Sequence, residues 1–265
     1  MKATVFLGGG RIASALLAGL QLAQYDRPIV VHDRNPNKLR QLQRQYGVIV
    51  EPDLHRAVEA AGILIIAVRP DSVRPLLQEI GRLRNHLPML AVSLAAGVPL
   101  SQLRANLDLA VRWVRAMPSP VCRSRKGLTA LTFGREVSAA QRRNIRKLFS
   151  LVGAVLEIPE SRFDAFTVTY SSSHGYHALA AMIAAAEAIG LDRRSARAAA
   201  AHALADGILA WREGRLSLHR LLHEAATPGG IAAAVTVALD REGFPRMIER
   251  GLRAGMKHAR KNAKR

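Results

Sequence analysis

Apolar and polar positions follow two rhythms along the chain, and the change comes near residue 160. Before it, short runs rich in apolar residues alternate with stretches whose apolar residues recur every three or four positions. The runs end at Leu7 and cover 28–33, 48–50, 61–68, 89–94, 110–115, 127–133 and 153–158. Residues 61–68, Ala-Gly-Ile-Leu-Ile-Ile-Ala-Val, are apolar on both alternating faces, as in a parallel strand covered from both sides. Helices are expected over 14–20, 37–46, 72–83 (with Asp71 as cap) and 138–150. This alternation predicts an α/β fold on a doubly wound parallel sheet. Beyond Phe163, alanine and leucine dominate and strand formers thin out. Helices broken at Gly190, Gly214, Thr227-Pro-Gly-Gly230 and Gly243-Phe-Pro245 are expected there. The expected domains are 1–158 and 159–265, the second all-helical and of a kind that often forms a subunit interface.

The strand ending at Leu7 runs into Gly8-x-Gly10-x-x-Ala13, and a helix-like stretch follows at once. Gly8 permits a tight strand-to-helix turn, Gly10 lets a pyrophosphate approach the backbone, and Ala13 allows close helix–sheet packing. The next strand ends in Asp33, and 33 − 10 = 23 residues separate it from Gly10. A dinucleotide fingerprint expects an acid about 20 residues on, to hold a ribose hydroxyl. Asp33 favours NAD by that role, whereas Arg34 followed by Asn35 suits a 2′-phosphate. NADPH is the expected cofactor, with NADH as the alternative.

Composition adds limits. A hydrophobic content of 49% with mean hydropathy +0.05 describes a globular chain. The long apolar stretch 178–189 is interrupted by Glu187 and falls short of a membrane span, so no membrane partner is expected. The first residues enter a strand without a basic segment and cleavage site, so no export signal is expected. The single cysteine, Cys122, excludes an internal disulfide and fits a reducing, cytoplasmic setting. Its basic flank, Arg123 to Lys126, would lower its pKa, although an incidental thiol is the plainer reading. Lys and Arg number 39 against 20 Asp and Glu, a net charge of +19 that attracts phosphates and acidic metabolites. The basic tail 257–265 reads first as a solvated, frayed terminus, with nucleic-acid binding a secondary reading. His202, His219 and His223 are too dispersed for a metal site.

Several separated motifs resemble one family, the pyrroline-5-carboxylate reductases. Besides the glycine loop, Ala67-Val-Arg-Pro70 resembles its Val-Lys-Pro turn, and Ser93-Leu-Ala-Ala-Gly-Val98 its Ser-x-x-Ala-Gly-Val. Arg115-Ala-Met-Pro-Ser-Pro120 is similar to Arg-x-Met-Pro-Asn-x-Pro. Asp164-Ala-Phe-Thr167 resembles Asp-Ala-Val-Thr, and Thr227-Pro-Gly-Gly230 resembles Ser-Pro-Gly-Gly. The resemblance implies a Rossmann-type first domain, a helical dimerisation domain, an NAD(P)H cofactor, and a homodimer or larger homo-oligomer. It implies a cofactor site of Gly8, Gly10, Arg11, Ile12, Ala13, Asp33, Arg34, Val68, Arg69, Pro70, Ala95, Met117 and Pro118.

The substrate half departs from the family. Its Ser-Gly-Ser-Gly-Pro-Ala-Tyr is here Tyr170-Ser-Ser-Ser-His-Gly-Tyr176, and its Thr-Thr or Ala-Thr after Pro-Gly-Gly is Ile231-Ala232. Reducing an imine calls for a general acid near neutral pKa as well as hydride. Tyr170, Ser172 and His174 are the candidate catalytic residues, and histidine titrates in the needed range. Ser171, Ser173, Tyr176, Thr227, Gly229 and Gly230 are candidates for binding substrate. Tyr176 also reads as a core residue, and Ser171 to Ser173 as an ordinary helix cap. Arg115 and Arg69 are candidates for steering an anion. The expected activity is therefore an NAD(P)H-dependent reduction of a small cyclic imine, with the departures pointing away from pyrroline-5-carboxylate. The alternatives are the proline-forming reductase itself and a non-catalytic dinucleotide-binding regulator.

Overall fold

The computed structural model describes residues 2–83, 90–107 and 111–263. Two compact units emerge, Met1–Tyr170 with Ala254–Arg265, and Ser171–Arg253. Compactness thus divides the chain after Tyr170 rather than after residue 158, where composition changes.

The first unit runs β1 (Ala3–Leu7), α1 (Arg11–Leu22), β2 (Ile29–His32), α2 (Pro36–Tyr46), β3 (Ile49–Val50), α3 (Leu54–Glu59) and β4 (Ala61–Ile66). It continues with α4 (Pro70–Gly81), β5 (Leu90–Ser93), α5 (Leu100–Asn106), β6 (Arg112–Pro118) and β7 (Gly127–Phe133). It then adds α6 (Ala139–Ser150), β8 (Gly153–Glu157) and α7 (Glu160–Thr169). The strands form one sheet in the order β3-β2-β1-β4-β5-β6-β7-β8. The expected doubly wound sheet is present and parallel throughout, except that β6 and β7 pair antiparallel. Only a short 3-10 turn, Pro120–Ser124, joins that pair. A parallel return needs a crossover of about a dozen residues or more, which this link lacks.

Strand alternation sends Phe6 to one side of the sheet and its neighbours Val5 and Leu7 to the other. Phe6, Ile65, Val92 and Val114 pack with α1, α2 and α6, while Leu7, Leu64, Ile66 and Trp113 pack with α3, α4 and α5. α6 starts at a reciprocal capping box between Ser138 and Gln141. Two expectations change in detail. α4 begins at Pro70 behind Arg69, so Asp71 lies inside its first turn rather than at the cap. The short helices α3 and α5 had no strong periodic signal. Met89 and Ala110, expected at strand starts, lie outside the described residues.

The second unit contains α8 (Ser172–Ala188), α9 (Arg193–Glu213), α10 (Leu218–Ala225) and α11 (Ile231–Arg241). α12 (Phe244–Asn262) begins there, and its last turns belong to the first unit. The breaks fall where the glycines predicted them, and Gly190 and Gly243 take φ of +106° and +77°. α8 packs along α9.

The end of α12 is docked, not frayed. At Gly97, φ is +75° and a Cβ would stand 2.8 Å from the Ala259 carbonyl oxygen. Asn262 Nδ2 donates to the Ala96 carbonyl at 3.4 Å. A Cβ at Gly255 would stand 2.6 Å from Val168 Cγ1. Small residues four apart on α12 therefore seat it against α7 and the loop after β5. Lys264 and Arg265 of the basic tail lie outside the described residues.

Candidate cofactor and substrate sites

From β1 the chain winds outward to β2 and β3, then returns to β4 on β1's other side. The reversal opens a crevice at the carboxyl ends of β1 and β4, the usual ligand position in such sheets. A cleft of about 560 Å³ lies there, lined by residues that follow β1 (Gly8, Gly10), β2 (Asp33, Arg34) and β4 (Val68, Arg69).

Local geometry suits a dinucleotide. Gly8 has φ +101°, and a Cβ would stand 2.7 Å from the Ala67 carbonyl oxygen, so only glycine lets the two strand ends approach. Gly10 is the N-cap of α1, no side chain caps it, and no acid occupies the first turn. Around its absent Cβ the nearest atom is 4.0 Å away. The free amides at the start of α1 thus open onto the cleft, a ready anion site. Ala13 is fully buried, as close helix–sheet packing requires. Ile12 is half-buried and Arg11 exposed. Arg34 and Arg69 stand exposed at the rim, with Glu79 at 3.5 Å and Asp71 at 3.9 Å as respective partners. Such exposed pairs bind weakly and yield readily to a phosphate. Ala95, half-buried Met117 and buried Pro118 continue the same carboxyl edge past β5 and β6, outside the cleft lining.

Asp33 does not face the cleft as a free acceptor. Its Oδ2 accepts from the Gly9 amide at 2.8 Å and the Lys38 ammonium at 2.9 Å, and its Oδ1 from the Asn35 amide at 2.9 Å. Burial pushes its pKa up, but these donors outweigh burial and hold it below the ordinary aspartate value. The sequence reading missed Lys38 and His32, which also line the cleft. His32 Nδ1 pairs with the Glu51 carbonyl at 3.0 Å. Lys38 falls in the first turns of α2, where position relative to β2 was the available signal.

Of the other catalytic and substrate candidates, Tyr170 belongs to the first unit and the rest to the second. Tyr170 ends the first unit, and its hydroxyl oxygen accepts from the Leu128 amide at 3.0 Å. Ser171 is the N-cap of α8 in the second unit, with its Oγ 2.6 Å from Ser173 Oγ. Ser172 is half-buried at the first helical position, and Ser173 and His174 are exposed on the next. Tyr176 is 67% exposed, so it is not the core residue its aromatic ring suggested. Thr227 accepts the Gly230 amide through its carbonyl at 2.9 Å, and Gly229 takes φ +79°. That turn leads into α11, whose N-cap Gly230 carries no side-chain cap. Within the second unit the candidates therefore sit at two helix N-termini.

Two residues change role. Arg115 is 1% exposed and no anion-steering group. Its Nη1 donates to Glu160 at 2.9 Å and its Nη2 to Asp164 at 2.5 Å, while the guanidinium covers the Phe163 ring at 4.5 Å. It ties α7 to the sheet. Cys122 is buried, and desolvation pushes its thiol up to about 11 against the opposing pull of Arg123. The basic flank does not activate it.

Fold and cleft together define a dinucleotide-binding α/β protein with an appended helical unit. Residues 4–97 match the family model described as NADP oxidoreductase, coenzyme F420-dependent, and residues 160–262 match pyrroline-5-carboxylate reductase dimerisation. The pyrroline-5-carboxylate reductase of Mycobacterium tuberculosis is 30% identical, over 96% of this chain and 94% of that protein. That of Thermus thermophilus is 33% identical, over 94% and 96%. The Plasmodium falciparum pyrroline carboxylate reductase, solved with NADP bound, superposes with a TM-score of 0.87 at 18% identity, over 99% of this chain and 98% of that one. The chain belongs to the pyrroline-5-carboxylate reductase family.

Proposed function

We propose that this protein is a pyrroline-5-carboxylate reductase, an NAD(P)H-dependent oxidoreductase that reduces the C=N bond of pyrroline-5-carboxylate to give proline. The carrying observation is a glycine-lined cleft at the sheet's reversal, in a chain that matches named reductases over 94–96% of its length. The expectation of a different imine, drawn from 170–176 and 231–232, gains no support from those relatives. Losing the hydroxyl at Ile231 removes a side-chain donor, yet the uncapped start of α11 still offers backbone amides to a carboxylate. A non-catalytic regulator gains no support either.

In this reading Gly8, Gly10 and Ala13 shape the pyrophosphate seat, and Arg34 and Arg69 meet phosphate at the rim. The bound nicotinamide supplies hydride. His174, Tyr170 and Ser172 remain the proposed source of the proton for the imine nitrogen. Ser171, Ser173, Tyr176, Thr227, Gly229 and Gly230 remain the proposed substrate contacts, and 159–265 the proposed dimerisation domain. The protein works as a homo-oligomer, because α8, α10 and α11 bury no residue within one chain, Ile231, Val235 and Leu239 stand exposed on α11, and Trp211 stands exposed on α9. A second copy of the same domain is the occupant that the family match supports. A cytoplasmic location belongs to this proposal. No described helix is long and apolar enough to cross a membrane.

The test is to follow nicotinamide oxidation and proline formation with pyrroline-5-carboxylate and either cofactor. Proline formed in step with cofactor oxidation supports the assignment. Cofactor bound without proline formed would overturn it and send the search to other imines.

A further inference from the structure

The acid closing β2 stands where a dinucleotide site usually places its ribose acceptor, and here it is turned to another task. Both lone-pair sites of Asp33 Oδ2 are taken, by the Gly9 amide at 2.8 Å and by Lys38 at 2.9 Å, and Oδ1 holds the Asn35 amide at 2.9 Å. The side chain is only 12% exposed. The Cβ direction of Gly9 faces the same group, with Asp33 Oδ2 at 3.5 Å. A Cβ there would stand 2.6 Å from Leu42 Cδ1 and 3.1 Å from Lys38 Cδ, and Leu42 is itself a core residue at 3% exposure. The middle glycine of three is thus packed tightly against Asp33 and the first turns of α2. Oδ1 keeps one acceptor site, enough for a single hydroxyl; taking both hydroxyls of a ribose diol would release Gly9, Lys38 or Asn35, and the Gly9 amide is buried.

We infer that Asp33 is a positioning residue: with Lys38 it clamps Gly9 and so sets the phosphate-binding loop, rather than reading the cofactor's ribose. Gly9 lies between Gly8, which fixes the turn, and Gly10, which opens α1 to the pyrophosphate, so fixing its amide orients the loop as a whole. The clamp rests on the dinucleotide reading of the cleft but not on which imine is reduced.

The roles separate on nucleotide binding alone, measured by nicotinamide fluorescence with NADPH and NADH and no imine present. For a clamp, Asp33→Ala weakens both nucleotides in parallel, by about tenfold or more, with their ratio of Kd unchanged. Loss confined to NADH, with NADPH unchanged or tighter, would make Asp33 the ribose acceptor and overturn the clamp; so would no change in either. Lys38→Met keeps the aliphatic stem against Gly9 and removes the ammonium, and it decides the matter should Asp33→Ala fail to fold. It is expected to weaken both nucleotides by about threefold, and a loss confined to NADPH would make Lys38 a phosphate reader instead. Wild-type protein that binds neither nucleotide brings down the dinucleotide reading along with the clamp. Wild type that binds both, beside a variant that shifts only one, brings down the clamp alone.

Discussion

The sheet unit completes itself, whereas the helical unit does not. In the first, two apolar layers fill the space on either side of eight strands, and Trp113, Phe6 and Phe149 are almost wholly buried. In the second, α9 buries only Ala196 and Ala200, and Ile231 stands 88% exposed. Apolar surface of that extent in water is costly unless something covers it. The difference teaches that one part of the chain encodes a fold and the other encodes an interface.

The sharpest way to break this comparison is at the self-sufficient side. Arg115→Ala leaves Glu160 and Asp164 without their buried cation, and the sheet unit should lose about 3 kcal/mol. A melting temperature close to wild type would return Arg115 to the list of ligand-binding groups. On the other side, Trp211→Glu combined with Val235→Glu should cost about 2–4 kcal/mol of association if these residues lie at the centre of an interface. Sedimentation should then show monomers that still bind nucleotide. Oligomers that persist would place the interface on another face of the helices.

The docked end of α12 gives a smaller effect. Ala259→Leu forces side-chain volume against the Gly97 backbone and should destabilise the first unit by about 1–3 kcal/mol. Unchanged stability would mean that the last turns of α12 detach at little cost.

Acid sharpens the contrast further. The folded-state pKa of Asp33 is depressed, so its contribution is present above the ordinary value of 3.8 and is lost as pH falls through the lower folded value. Wild type should therefore exceed Asp33→Ala in stability at neutral pH, with the gap closing in strong acid. A gap that widens on acidification would contradict the donor set around Asp33. The smallest effect is expected at Cys122, whose buried thiol with a pKa of about 11 should resist thiol reagents at neutral pH until the protein unfolds. Rapid labelling of the native protein would show that α1 and the turn after β6 part more easily than their packing indicates.

Legibility followed the range of the forces. Strands such as 127–133 and breaks such as Gly190 could be read from neighbours a few residues apart, because period and turn chemistry are local. The antiparallel β6–β7 pair was hidden, since β-branched runs look alike in either direction and the decision lay in a short link. Arg115 in Arg115-Ala-Met-Pro could equally be a rim cation, because its partners arrive 45 and 49 residues later on α7. Tyr176 misled for a related reason, since an aromatic ring signals burial without saying whether the burial occurs within one chain.

By itself, the sequence determined the alternation of strands and helices, the glycine turn into α1, and the switch to helices after Phe163, all of which rest on local backbone and periodicity. Only the tertiary structure decided that Asp33 points back to Gly9, that Arg115 is an anchor, and that Gly97 meets Ala259. Each of those depends on which distant segment fills the space beside a residue, and that is settled by packing the whole chain.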